Sequence, residues 1–201
     1  MKNTIEPTYH HGDLKNSLIV AALEMIEKDG VNSMTLRELT KKVGASRSAI
    51  YRHFSSKNEL LKSIIKEAIK KLDEYTITSI PTTNILDDLY IMGKSYINFA
   101  IKNPNIYRMI FGNEARKQRE EVCDIYDAND AAGFHKLIEL IKLAQETNLI
   151  KKDDAMMQAT VIWSTMHGLS NLLIDGHIHI QDNFETLYDL SFNTLITGMK
   201  A

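Results

Sequence analysis

Apolar residues return every three or four positions through most of the chain, the spacing that lines one face of an α-helix, and few stretches alternate as a half-buried strand would. Leu14, Leu18, Ala22, Met25 and Ile26 form the first such stripe, which follows Gly12 and Asp13 and stops at Asp29 and Gly30. A shorter stripe of Leu36, Leu39 and Val43 follows; Ser33 or Thr35 can cap it, and Gly44 can supply the left-handed residue that closes it. Ser46 caps a third segment directly after the Gly44, Ala45 turn. A fourth helix is expected from about Lys57 into the seventies, with Leu60, Leu61, Ile64, Ile65, Ala68, Ile69 and Leu72 on its apolar side. Thr76 to Asn84, with Pro81 and several threonines, reads as a linker. Helical patterns then resume from Asp87 to Lys102, Pro104 to Phe111, Phe134 to Glu146, Asp153 to Ile174 and Phe184 to Met199. The pattern predicts an all-α chain in three parts. Residues 1–57 form an arm and a three-helix unit, 58–80 a connecting helix and linker, and 81–201 a second helical domain.

Two short helices joined by a glycine-containing turn of three to four residues are the sequence form of a helix-turn-helix. In the third segment, GASRSAIYRHFSSKNELL, a helical projection from Arg47 places Ser48, Tyr51 and Arg52 within about 140° of arc. Ala49, Ile50, His53 and Phe54 fall on the opposite side, so Ile50 and Phe54 are expected to anchor the segment and His53 to lie beside them. The outward groups suit a DNA major groove. Arginine can bond guanine O6 and N7 together, serine can bond bases or phosphates, and tyrosine can reach a phosphate or a thymine methyl.

Composition matters once it is divided along the chain. The 201 residues carry a formal charge of −2, but residues 1–75 hold 13 Lys and Arg against 10 Asp and Glu, and the remainder 11 against 16. Arg37, Lys41, Lys42, Arg47, Arg52 and Lys57 are opposed only by Glu38 over that span, a local basic stripe suited to a polyanion. A hydrophobic content of 44% with three prolines gives enough apolar side chain for a real core. The lone Cys123 excludes an internal disulfide and a cysteine-based zinc site, and neither a signal-peptide pattern nor an apolar run of about 20 residues is present. A soluble cytoplasmic protein without cofactor is expected. No glycine-rich phosphate loop or spaced catalytic set points to an enzyme.

From about Leu14 to Leu61 the chain resembles the DNA-binding domain of the TetR family of bacterial transcriptional regulators, on MTLRELTKKVGAS and AIYRHFSSKNELL. The resemblance implies that Arg47, Ser48, Tyr51 and His53 face DNA from a recognition helix and that Arg37 and Lys57 contact phosphates. Thr35, Ser46 and Arg52 complete the candidate DNA-binding set. WSTMHGL, from Trp163 to Leu169, is similar to the Trp-x-x-x-His-Gly signature of one subgroup's C-terminal domain, as are YRMIFG and, near the start, YHHGDLKN.

The last two helices carry more apolar surface than one small core consumes, which a two-fold partner would bury, and the resemblance implies the same homodimer. Two recognition helices would then meet half-sites about 34–36 Å apart or farther, an inverted-repeat operator in double-stranded DNA. The second domain is expected to respond to a small apolar or aromatic effector lined by Tyr96, Phe99, Met109, Phe111, Phe134, Trp163 and His167. By the family's usual behaviour a repressor is expected rather than an activator. Two rivals stay open: a metal-responsive regulator using His10 with His11 or His177 with His179, and a helical protein-interaction module whose basic helix meets an acidic partner.

Overall fold

The computed structural model describes residues 14–78, 84–112, 131–178 and 184–200, and among these residues it is helical without strands. In chain order the helices are α1 Leu14–Asp29, α2 Leu36–Val43, α3 Arg47–Ile50, α4 Lys57–Ile77, α5 Ile85–Lys102, α6 Pro104–Phe111, α7 Ala132–Glu146, α8 Ala155–Ile174 and α9 Phe184–Met199. A 3-10 turn, Val31–Ser33, separates α1 from α2.

Local chemistry explains most of the boundaries. Thr35 accepts the Glu38 N–H at the start of α2, and Gly44 closes that helix at φ 66°, a left-handed conformation that glycine adopts without a Cβ penalty. Ser33 instead donates to the Gly30 carbonyl at 2.7 Å, inside the 3-10 turn. Ser46, Ser56, Asn84 and Asp154 accept first-turn amides of α3, α4, α5 and α8. Pro104 opens α6, where its missing N–H costs nothing.

Two helix ends depart from the sequence reading. Thr76 and Ile77 continue α4 instead of opening a linker: Thr76 is buried and donates to the Leu72 carbonyl at 3.0 Å. Pro81 lies outside the described residues. The third helix is also shorter than the projection assumed, because α3 ends at Ile50 and the chain turns through Tyr51 to His53. Phe54 is carried back into the core, whereas His53 is exposed.

Two cores result. The first gathers Leu18, Ala22 and Ile26 of α1, Leu39 of α2, Ile50, Phe54 and the α4 side chains Leu60 and Ile64. It also takes in Ile106, Tyr107 and Ile110, so α6 packs on the N-terminal helices. The second joins Leu89 and Ile97 of α5 to Ile141 of α7, Ile162 and Met166 of α8, and Tyr188 and Phe192 of α9. Tyr96 packs against both. No helix among the described residues is long and apolar enough to cross a membrane.

Candidate nucleic-acid interface and adjoining cavity

Ser46 sets the geometry of the exposed basic segment. Its hydroxyl accepts the Ala49 N–H at 3.2 Å and lies 2.9 Å from the Ser48 hydroxyl, fixing the first turn of α3. Ile50 and Phe54, each 1% exposed, hold the segment from behind, and the Lys15 ammonium lies 5.6 Å from the Phe54 ring. Arg47, Ser48, Tyr51, Arg52 and His53 are all exposed, Tyr51 by 47%. Burying Ile50 and Phe54 therefore turns the cationic and hydroxyl groups outward together. Thr35 and Arg37 are exposed at the start of α2, and Lys57 at the start of α4.

The hydroxyls of Thr35 and Ser46 already accept helix amides, so structurally they are caps. Ser56 accepts the Glu59 N–H while the Glu59 carboxylate accepts the Ser55 N–H, a reciprocal pair that fixes the α4 start beside Lys57. The Ser55 bonds hold the Glu59 carboxyl below its usual range. Lys42, part of the basic stripe in sequence, is turned toward α1 and pairs with Glu24 at 2.9 Å.

Of the candidate effector residues, Tyr96, Phe111, Phe134 and Trp163 line one cavity of about 150 Å³ between α4, α5, α6, α7 and α8. Phe99, Met109 and His167 do not. Phe99 packs edge-on against Tyr75, ring centroids 5.7 Å apart, and Met109 is buried in the first core, because both lie on the side of their helices that meets the N-terminal unit. His167 sits behind the cavity wall. Its Nδ1 is 2.6 Å from the Tyr107 hydroxyl and 3.2 Å from that of Tyr96, and Asn171 Nδ2 lies 3.0 Å from its Nε2. Trp163 Nε1 donates to the Tyr96 hydroxyl at 3.2 Å. Burial holds the Tyr96 phenol far above its ordinary range and pushes Tyr107 up to about 12.

Sequence reasoning missed Asp73, Thr76 and Gly133 in the cavity wall. Asp73 carries no sequence signal of its own, since it looks like one more acidic residue on an amphipathic helix. Packing α4 against the start of α7 is what places it there. Burial pushes its carboxyl up to about 6, while the backbone amides of Gly133 and Ala132 oppose that rise.

The short α6 ties the two cores together. Asn105 Nδ2 donates to the Glu27 carbonyl of α1 at 3.0 Å, and Arg108 donates from Nε and Nη2 to Asp175 at the end of α8, at 3.0 and 2.9 Å. Of the histidines considered as metal ligands, His10, His11 and His179 lie outside the described residues, and His177 is exposed.

Residues 18–64 match the family described as "Bacterial regulatory proteins, tetR family", and residues 89–197 match "Tetracyclin repressor-like, C-terminal domain". The chain is similar to the uncharacterized HTH-type transcriptional regulator YobS of Bacillus subtilis (strain 168), 21% identical over 189 residues that cover 94% of this chain and 93% of that protein. In fold it is similar to a protein of unknown function from Rhodococcus sp. RHA1, with TM-score 0.82 and 23% identity over 98% of this chain and 100% of that one. A TetR family transcription regulator from Marinobacter aquaeolei VT8 has TM-score 0.70 and 14% identity over 92% of this chain and 94% of that one.

Proposed function

The chain belongs to the TetR family of DNA-binding bacterial transcriptional regulators, and from that premise we propose that it is a homodimeric repressor released from an inverted-repeat operator by a small-molecule effector. The observation that carries the reading is the outward cluster of Arg47, Ser48, Tyr51, Arg52 and His53 on a segment whose other side is buried. Arg47 and Ser48 are assigned to base edges, Tyr51 and His53 to the backbone or a thymine methyl, and Arg37, Arg52 and Lys57 to phosphates. A DNA-binding role places the protein in the cytoplasm.

Support for the dimer comes from α8 and α9. The sequence of α8 holds no Asp, Glu, Lys or Arg, and Met157, Val161 and Leu172 are exposed within about 60° of one another around it. Leu190 of α9 is 65% exposed. A two-fold partner would remove these side chains from water and set the recognition segments on successive half-sites.

For the effector, the cavity supplies an apolar space bounded by α4, which leads to Lys57, and by Phe111 of α6, which is bonded to α1. A ligand that fits only one pose of these helices shifts the population toward that pose by its difference in affinity. Reversing a 1:99 balance takes about 5.5 kcal/mol.

The test is equilibrium binding of the full chain to duplex fragments from its own genome, followed by footprinting of those retained. The expected result is a protected inverted repeat bound more weakly as salt rises. Binding confined to a protein partner, with no salt-sensitive duplex binding, would remove the reading in favour of an interaction module.

A further inference from the structure

The cavity wall is almost wholly apolar, with Ile69, Leu72, Leu89, Phe134 and Ile162 among its residues, yet the Asp73 carboxylate stands in it. A carboxylate placed there needs compensation. Part of it comes from the first turn of α7, whose Ala132 and Gly133 backbone amides favour the charged form of Asp73. That approach depends on glycine, because a Cβ at Gly133 would lie 2.6 Å from Asp73 Oδ1. Two amides occupy only part of a group with about four acceptor positions. None of the ion pairs among the described residues includes Asp73, although the open cleft on its other side is lined by Lys15, Lys66 and Lys70.

The other polar groups at the wall are engaged among themselves. The Thr76 hydroxyl donates to the carbonyls of Leu72 and Asp73, at 3.0 and 2.9 Å. The Trp163 N–H is committed to Tyr96, whose hydroxyl also meets Tyr107 and His167. Spare capacity at the wall is therefore acceptor capacity, concentrated on one carboxylate. An anionic ligand would bring like charge to it in an apolar setting, whereas an ammonium would supply both the missing charge and the missing donors.

We propose that the cavity takes a compact apolar amine, with its ammonium paired to Asp73 and its hydrocarbon part against Leu89, Phe134 and Trp163. The inference rests on reading the cavity as the effector site. Size follows from the volume, since a space of about 150 Å³ accommodates a benzene-sized ring. With its carboxyl at about 6, Asp73 is largely an anion at pH 7.5. The pairing also bears on α4, because the carboxylate an ammonium would take up is the one that the first turn of α7 approaches.

Trp163 is the sole tryptophan of the chain and lines the cavity, so its fluorescence reports occupancy. The full chain is titrated at pH 7.5 with benzylamine, ethylbenzene and benzoate, three rings of similar size. Benzylamine is expected to bind at least about tenfold tighter than ethylbenzene, and benzoate to give no saturable change. In Asp73→Asn, whose amide oxygen can still accept the α7 amides, benzylamine should fall to within about threefold of ethylbenzene while ethylbenzene binds as before. Equal binding of benzylamine and ethylbenzene to the wild-type chain, or a benzylamine preference that survives in Asp73→Asn, overturns the anchor and leaves the cavity reading standing. Silence toward all three rings overturns both. The order among the rings in the wild-type chain decides the matter even if the variant folds poorly.

Discussion

Arg47 and Lys57 are both exposed cations, yet their removal should read differently in a DNA-binding assay. Arg47→Ala is expected to cost about 1–3 kcal/mol on the best operator and to relax base preference at one position, because a guanidinium on a base edge carries sequence information. Lys57→Ala should weaken all duplexes alike and lower the salt slope by about one, as loss of a single phosphate contact does. An Arg47→Ala protein with unchanged affinity and preference would remove it as the reading residue. Asp73 makes a prediction about stability. Its folded-state value of about 6 lies above the ordinary 3.8, so the folded chain holds a proton that the unfolded chain has released, and stability falls as pH rises from about 4 through 6. Asp73→Asn should therefore unfold at higher urea than the wild-type chain at pH 7.5, by on the order of 2 kcal/mol, with the gain shrinking toward pH 4.5. Of these residues, the exposed set from Arg47 to Arg52 was legible in the sequence, since a short amphipathic segment has only one way to hide Ile50 and Phe54. Asp73 was not, because its surroundings come from α7, about 60 positions further along the chain.

Helix boundaries were legible where a local side chain writes them. Thr35, Gly44, Ser46 and Pro104 each act within four residues of themselves, and the structure uses them as capping rules expect. The end of α3 and the continuation of α4 through Thr76 were not legible, because each is decided by what the neighbouring chain packs against. A helix of four residues has almost no stability alone, so α3 depends on its cap and on the two anchors behind it. Ser46→Ala is thus expected to cost about 1 kcal/mol in thermal or urea unfolding and to weaken operator binding further, through a recognition segment less often in place. A variant with normal DNA affinity despite that loss of stability would show that the α3 start is not needed for docking.

At the scale of the molecule, α6 couples the two cores: Asn105 reaches α1, Tyr107 reaches His167, and Arg108 reaches Asp175. The dimer assigned to α8 and α9 carries its own prediction. Leu190→Glu places a charge on a side chain that is 65% exposed in the single chain, so the fold should survive while sedimentation shows monomers and operator affinity falls by at least about tenfold. A Leu190→Glu protein that remains dimeric would move the interface elsewhere. The sequence by itself determined where most helices lie, the caps at Thr35, Gly44, Ser46 and Pro104, and the burial of Ile50 and Phe54 behind an outward Arg47, Ser48, Tyr51 and Arg52, because periodicity and capping act over one or two turns. Only tertiary structure decided that α6 belongs to both cores, that Lys42 is spent on Glu24, that Phe99 and Met109 face away from the cavity, and that Asp73 looks into it. Those facts depend on which helices meet and at what rotation, and that is settled by the packing of distant side chains.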